Sequence, residues 1–266
     1  EVDSQLVLDK IDADKDEVID IALKLLNARP IEAGTYDIIC DPAVAGLIAH
    51  EAFGHGVEMD MFVKERAKAV QYVGKRVASD VVNMYDGAAS CVSAASYFFD
   101  DDGVEAGKTN IIKNGILQTG ISDCLSAMEL GTTPTGNGRR ESYKRKVYTR
   151  MTNTFFDAGN DSVEDMIKSI KHGYYLCQSN NGMEDPKNWQ IQCTAGYGIE
   201  IVDGKLTDHI VAPVVISGSV VELLNSISMV SKDVHIFGMG MCGKGHKEWV
   251  FVSDGGPYLK GKAKLS

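Results

Sequence analysis

The sequence predicts an α+β fold built mainly on antiparallel β-sheet, barrel-like or a sandwich, with several helices and one distorted helix carrying the candidate site. Two hairpin signals support this. Residues 111–117 carry Asn114-Gly115 at their tip and residues 199–206 carry Asp203-Gly204, the pairs a type I′ turn wants. Helical patterns are scattered among the strand patterns instead of alternating with them, which disfavours a parallel βαβ order.

Taken in order, apolar residues at helical spacing over 14–28 (Val18, Ile21, Ala22, Leu25, Leu26), led by acids, predict a first helix. Residues 38–49 read as a strand, then Asp41 as N-cap, Pro42 at the first helical position and an apolar turn. Residues 58–77 are mixed and basic and are expected to form an exposed, mobile stretch. Residues 90–99 read as a strand leading into the acidic turn 100–103. Helices are expected at 122–130, 162–172 and 219–227, with Ser162 and Asp165 resembling a capping box. No internal repeat or domain boundary stands out, so 1–266 is read as a single domain.

Bulk properties narrow the function. A net charge of −10 argues against non-specific nucleic-acid binding, which needs Lys and Arg on phosphates. No stretch approaches the roughly 18 uncharged apolar residues that span a bilayer. The six cysteines (40, 91, 124, 177, 193, 242) include no C-x-x-C pair, which disfavours a disulfide framework and fits buried thiols in a reducing cytoplasm. The start at Glu1, with neither Met nor signal sequence, reads as an interior cut through a longer protein whose N-terminal region is missing.

The run Ala49-His50-Glu51-Ala52-Phe53-Gly54-His55 is the most informative feature. Two imidazoles can hold a zinc ion, and a carboxylate beside the first can take a proton from a water that the metal activates. The histidines are five apart. On a regular α-helix that spacing turns through about 500°, leaving the rings roughly 140° apart. Both reach one metal only if the helix is locally underwound, as in a π-bulge, and Gly54 is where such strain can sit.

A catalytic zinc usually takes a third protein ligand. Glu58 and Asp60 follow the motif closely, while Cys242 and His246 lie far off in a glycine-rich run. Cys242 is favoured because surrounding glycines let the backbone fold tightly about an ion; an inert buried cysteine is the alternative. Glu58 can instead orient a ligating histidine from behind. The run 238–243 also reads G-x-G-x-x-G, but strands on both sides argue against a dinucleotide site. Asp12, Asp14 and Asp16 imitate a calcium loop in which Glu17 takes the place of the required glycine. The basic run 136–146 is a solvated loop or holds a substrate carboxylate, a carbonyl or an acidic partner, with Arg139, Arg140 and Tyr143 as substrate-binding candidates.

Five blocks resemble the TldD/PmbA family, also called the modulator of DNA gyrase family. They are His50-Glu51-Ala52-Phe53-Gly54-His55-Gly56-Val57-Glu58, Thr133-Pro134-Thr135-Gly136-Asn137-Gly138-Arg139-Arg140-Glu141-Ser142, Arg150-Met151-Thr152-Asn153-Thr154, Ile227-Ser228-Met229-Val230 and Gly240-Met241-Cys242-Gly243-Lys244. The resemblance covers nearly the whole chain but only the family's C-terminal, metal-bearing portion, with the N-terminal domain absent. It implies a zinc-dependent peptidase of the TldD type, with His50, His55 and Cys242 as ligands and Glu51 as general base. It also implies short or unfolded peptide substrates and a homo-oligomer or a heterodimer with a non-catalytic paralogue. Residues 180–185 depart from the family's glycine-rich pattern, as does the basic stretch after Asp60, and both put the substrate channel in question. The competing class is a non-enzymatic regulatory or interaction protein in which metal is structural or absent.

Overall fold

Near the C-terminus Leu259, Gly261, Ala263 and Leu265 are buried while Lys262 and Lys264 are exposed, the period-two pattern of a strand with one face on a core. That strand closes a barrel. The computed structural model describes residues 4–245 and 247–266.

The elements run α1 (Ser4–Leu25), β1 (Gly34–Cys40), α2 (Pro42–Leu47), a π-helical segment at Ile48–Gly54, a 3-10 turn at His55–Val57 and α3 (Met59–Val63). After a second 3-10 turn at Lys68–Tyr72 come β2 (Met84–Asp86), β3 (Thr109–Lys113), β4 (Ile116–Leu117), α4 (Cys124–Leu130), β5 (Gly138–Arg139), β6 (Tyr148–Thr149), β7 (Asn153–Phe156) and α5 (Val163–Lys168). The remainder is β8 (His172–Asp185), β9 (Gln190–Val202), β10 (Lys205–Val211), β11 (Val214–Ser219), α6 (Val220–Ser226), β12 (Met229–Val230), β13 (His235–Lys244), β14 (Lys247–Gly256) and β15 (Leu259–Leu265).

Strands β1, β8, β9, β11 and β15 pair in turn, and β15 returns to β1, so the sheet closes on itself and removes its edges. Only the β1–β8 pair in this ring is parallel. A second sheet runs β13-β14-β7-β2-β3-β4. The α2 and π-helical segment lies between the two, packing on β8 and on β7 and β14. Ile38, Val44, Leu47, Ile48, Phe53 and Trp189 belong to the shared core there. The fold is α+β, mainly antiparallel, with a five-stranded barrel.

Both hairpins form at the expected tips: Asn114 and Gly115 have φ of 49° and 76°, Asp203 and Gly204 of 48° and 74°. The first helix is longer than its apolar spacing suggests, and it leaves Val18 and Leu26 exposed. Ser162 caps α5 by accepting from the Asp165 amide, but the helix stops at Lys168 because His172 already begins β8. Residues 90–99 are not a strand. Ser96 donates to the Cys91 carbonyl and accepts from the Ser93 amide, so serines satisfy the backbone locally and compete with a ladder. Phe98 and Val92 are left exposed. The basic stretch after the motif is also not simply exposed, since Phe62, Ala67, Ala69 and Val77 anchor it in the core.

Candidate metal centre

Asp41 caps α2 by accepting a hydrogen bond from the Val44 amide at 2.7 Å, and Pro42 starts the helix where no donor is needed. Beyond Leu47 the backbone widens into the π-helical segment, in which the His55 amide donates to the His50 carbonyl five residues back. The extra residue in that turn brings both imidazoles to one side, with ring centroids 5.1 Å apart. From β13, Cys242 sets its Sγ 3.1 Å from His50 Nε2 and 3.3 Å from His55 Nε2. The three donor atoms lie within 4.8 Å of one another. Gly54 has an ordinary right-handed φ of −60°, so the wide turn does not rest on its freedom. A side chain there would instead strike Met151.

A charged network backs these donors. Arg150, fully buried, donates from Nε to Glu58 at 3.2 Å, from Nη2 to the Cys242 carbonyl and Sγ at 3.1 Å each, and from Nη1 to the Glu248 carbonyl. Glu58 lies 3.5 Å from His55 Nδ1 and 3.1 Å from Lys244 Nζ. Burial alone would raise the Glu58 carboxyl, yet Lys244, His55 and Arg150 hold it below the usual range. Burial and neighbouring His55 push His50 well below the imidazole range, leaving it neutral, the state that coordinates metal. His55 is held well above that range, against burial, by its bonds to Cys242 and Glu58, so a metal taken up here displaces a proton.

Glu51 projects from the same turn, 4.0 Å from His50 Nε2 and 3.8 Å from His55 Nε2. Gly182 of β8 makes this possible, since a Cβ there would sit 2.8 Å from Glu51 Cγ. Burial lifts Glu51 above the usual carboxylate range, bringing it closer to the working pH of a group that must take and then return a proton. The side chains face a cavity of about 690 Å³, also lined by Met61, Glu184, Trp249 and Asp254.

Burial, with Glu51 near it, pushes Asp254 up to about 8 from an ordinary 3.8. Such an acid holds its proton when folded after the unfolded chain has released it, so its contribution to stability is lost as pH rises between those values. In metal-free protein, Asp254→Asn is expected to flatten the fall in thermal stability with pH by up to about 1.4 kcal/mol per unit over that window. Identical slopes for the two proteins, by calorimetry at several pH values, would count against this.

Residues 33–263 match the family model for the PmbA/TldA metallopeptidase C-terminal domain. The chain belongs to this family. A metalloprotease of Methanocaldococcus jannaschii is 35% identical over 245 residues, 92% of this chain and 53% of that protein. A zinc metalloprotease TldD homolog of Saccharolobus solfataricus is 35% identical over 234 residues, 87% of this chain and 51% of that one. Among solved structures, TldE of Thermococcus kodakarensis superposes with a TM-score of 0.71 at 26% identity, covering 91% of this chain and 52% of that one. The chain spans about half the length of the curated relatives it matches.

Much of the family resemblance falls on scaffold rather than cavity wall. Asn137 donates to Asp86 and to the Arg150 carbonyl, and Thr152 and Thr154 also donate to Asp86. This knot holds the segment from which Arg150 reaches the donors. The structure does not bring Arg139, Arg140 and Tyr143 to the cavity. Arg139 donates to the Met151 carbonyl at 2.7 Å and stacks on Tyr97, Arg140 pairs with Asp101, and Tyr143 is 81% exposed. Asp60 is engaged by Lys64 and Lys244, and Glu58 stands behind His55. His246 lies outside the described residues. The G-x-G-x-x-G run lies along β13 in a hairpin with β14, and among the described residues no helix follows it. The three aspartates near the start lie on α1, not in a loop. Sequence reasoning missed Lys244, Glu184 and Asp254 as cavity groups and Arg150 as the hub. Arg150 had two signals, its place in a family-like block and its position just beyond the basic run, while Lys244 stood in another such block and Glu184 in the divergent 180–185 stretch.

Proposed function

We propose that this chain is a zinc-dependent metallopeptidase domain of the TldD type, hydrolysing peptide bonds in short or unfolded peptides. The observation that supports it best is the convergence of His50 Nε2, His55 Nε2 and Cys242 Sγ within 4.8 Å, beside Glu51. The donors fit zinc: two imidazole nitrogens and one sulfur suit a borderline-soft cation, and their spacing is near that of neighbouring ligands around a tetrahedral ion. Three donors, rather than the four of a structural site, leave room for a reactant. Among the described residues no fourth His, Cys, Asp or Glu joins the group. Zinc held there supplies a Lewis acid that polarises a scissile carbonyl and lowers the pKa of a water.

The chain's own groups do the rest. Glu51, by its carboxylate, takes the proton of the attacking water and delivers it to the leaving amine. Arg150 and Glu58 fix Cys242 and His55 from behind. Zinc metalloprotease naming of the relative from Saccharolobus solfataricus supports the metal, and likeness to a TldE structure supports pairing with a non-catalytic paralogue, with a homo-oligomer as the other arrangement. No described helix is long and apolar enough to cross a membrane. Six unpaired cysteines fit a cytoplasmic setting.

Elemental analysis with anomalous scattering at the zinc edge tests this reading. Wild type is expected to hold about one zinc per chain and to cleave unfolded peptides, and His50→Ala to lose both. Zinc bound through four protein ligands, with no cleavage, would favour the regulatory alternative.

A further inference from the structure

Two carboxylates in the cavity carry buried oxygens that no described group meets at hydrogen-bond geometry. Glu184 lines it from β8, and neither of its buried oxygens has a partner at hydrogen-bond geometry. Asp254 lines it from β14, is 2% exposed, and leaves Oδ1 without a partner. Folded proteins keep few such groups because each forfeits its hydration without return, so an orphan in a cavity wall points to something that binds there.

Their placement relates them to the site. Gly182 and Glu184 share one face of β8, where alternate residues point the same way. Gly182 abuts Glu51, and Glu184 rests its Oε1 on Gly56, where a Cβ would stand 2.5 Å away. Glu184 therefore lies about 7 Å further along the strand than the Glu51 contact, two residues of an extended chain. A second metal ion is disfavoured, since among the described residues only His50, His55 and Cys242 bring donors close enough to share one.

We propose that Glu184 and Asp254 form a subsite for a cationic group of the peptide, an α-ammonium or a Lys or Arg side chain, within two residues of the scissile bond. This rests on the peptidase reading above. Burial holds Glu184 well above the carboxylate range, against the pull of His55 and of the nearby Gly56 amide. A bound cation takes the place of the proton, which leaves to solvent.

The zinc-loaded full chain is assayed on matched unfolded peptides carrying Lys or norleucine, and Arg or citrulline, at each position, with free or acetylated N-termini. The expected result is a preference of about tenfold or more in kcat/KM for the cationic member, abolished in Glu184→Gln and reduced in Asp254→Asn. Loss on acetylation assigns the α-ammonium, and loss with norleucine or citrulline assigns the side chain; either supports the subsite. Equal kcat/KM across all pairs in wild type overturns it, whether or not the variants fold, and so does a preference that Glu184→Gln leaves intact. Calorimetry of the same peptides on the Glu51→Gln chain reads the preference without turnover. Tighter binding of cationic peptides with no cleavage by wild type would sink the peptidase reading and keep the subsite. Cleavage without preference would sink the subsite alone.

Discussion

Replacing Glu51 with glutamine is expected to leave zinc content at the wild-type level while lowering kcat on any cleaved peptide by about a hundred- to ten-thousandfold. Glutamine has nearly the same shape, so it keeps the packing against Gly182 and the π-helical turn. It cannot take a proton. Glu51 stands 3.8 Å and 4.0 Å from the two imidazole nitrogens, too far to bond them directly and near enough for a small molecule between. A carboxylate held there has no evident structural duty that an amide would fail. Single-turnover cleavage with parallel metal analysis measures both quantities, and full activity in Glu51→Gln would remove the assigned base. Loss of zinc together with activity would mean that the carboxylate belongs to the metal's own ligand set.

Arg150→Met is expected to destabilise the protein by about 3–5 kcal/mol, the cost of stripping one partner from a buried ion pair. The side chain is fully buried and serves Glu58, the sulfur and carbonyl of Cys242, and the Glu248 carbonyl. Its loss leaves Glu58 to Lys244 and His55 and takes a donor from the carbonyls of Cys242 and Glu248. Lysine is not expected to rescue the variant, because a single ammonium on a flexible stem cannot reproduce a planar fork with several acceptors. Because the same guanidinium touches a donor of the metal centre, zinc affinity should fall with stability, by about 10- to 100-fold as for other supporting groups. Equilibrium denaturation and competitive zinc titration check the pair. A loss below about 1 kcal/mol would show that the network is dispensable, as a surface pair would be.

Local chemistry was legible in the sequence where it is local in the fold. Asp41 and Pro42 announce the start of α2, and Asn114-Gly115 and Asp203-Gly204 announce two turns, because each uses only bonds and dihedrals within a few residues. The five-residue histidine spacing pointed to an underwound helix for the same reason, since the His55-to-His50 backbone bond lies within that one turn. Residues 90–99 misled because their apolar residues suit a strand, while the serines that decide the matter bond to their own neighbours. Charge density in the sequence did not say which neighbours Arg139 and Arg140 meet; the Met151 carbonyl and Asp101 take their guanidinium groups.

By itself the sequence determined the helix cap, the turns, the strand alternation and the five-residue spacing of His50 and His55, all set by forces acting over a few residues. Tertiary structure alone decided that β13 carries Cys242 to within 3.3 Å of both rings, that Arg150 joins Cys242 to Glu58, and that Glu184 and Asp254 share one cavity with Glu51. These groups come from segments far apart in the chain. Only barrel closure and the packing of the second sheet against the α2 turn bring them together, because burying the shared apolar core is what fixes their distances.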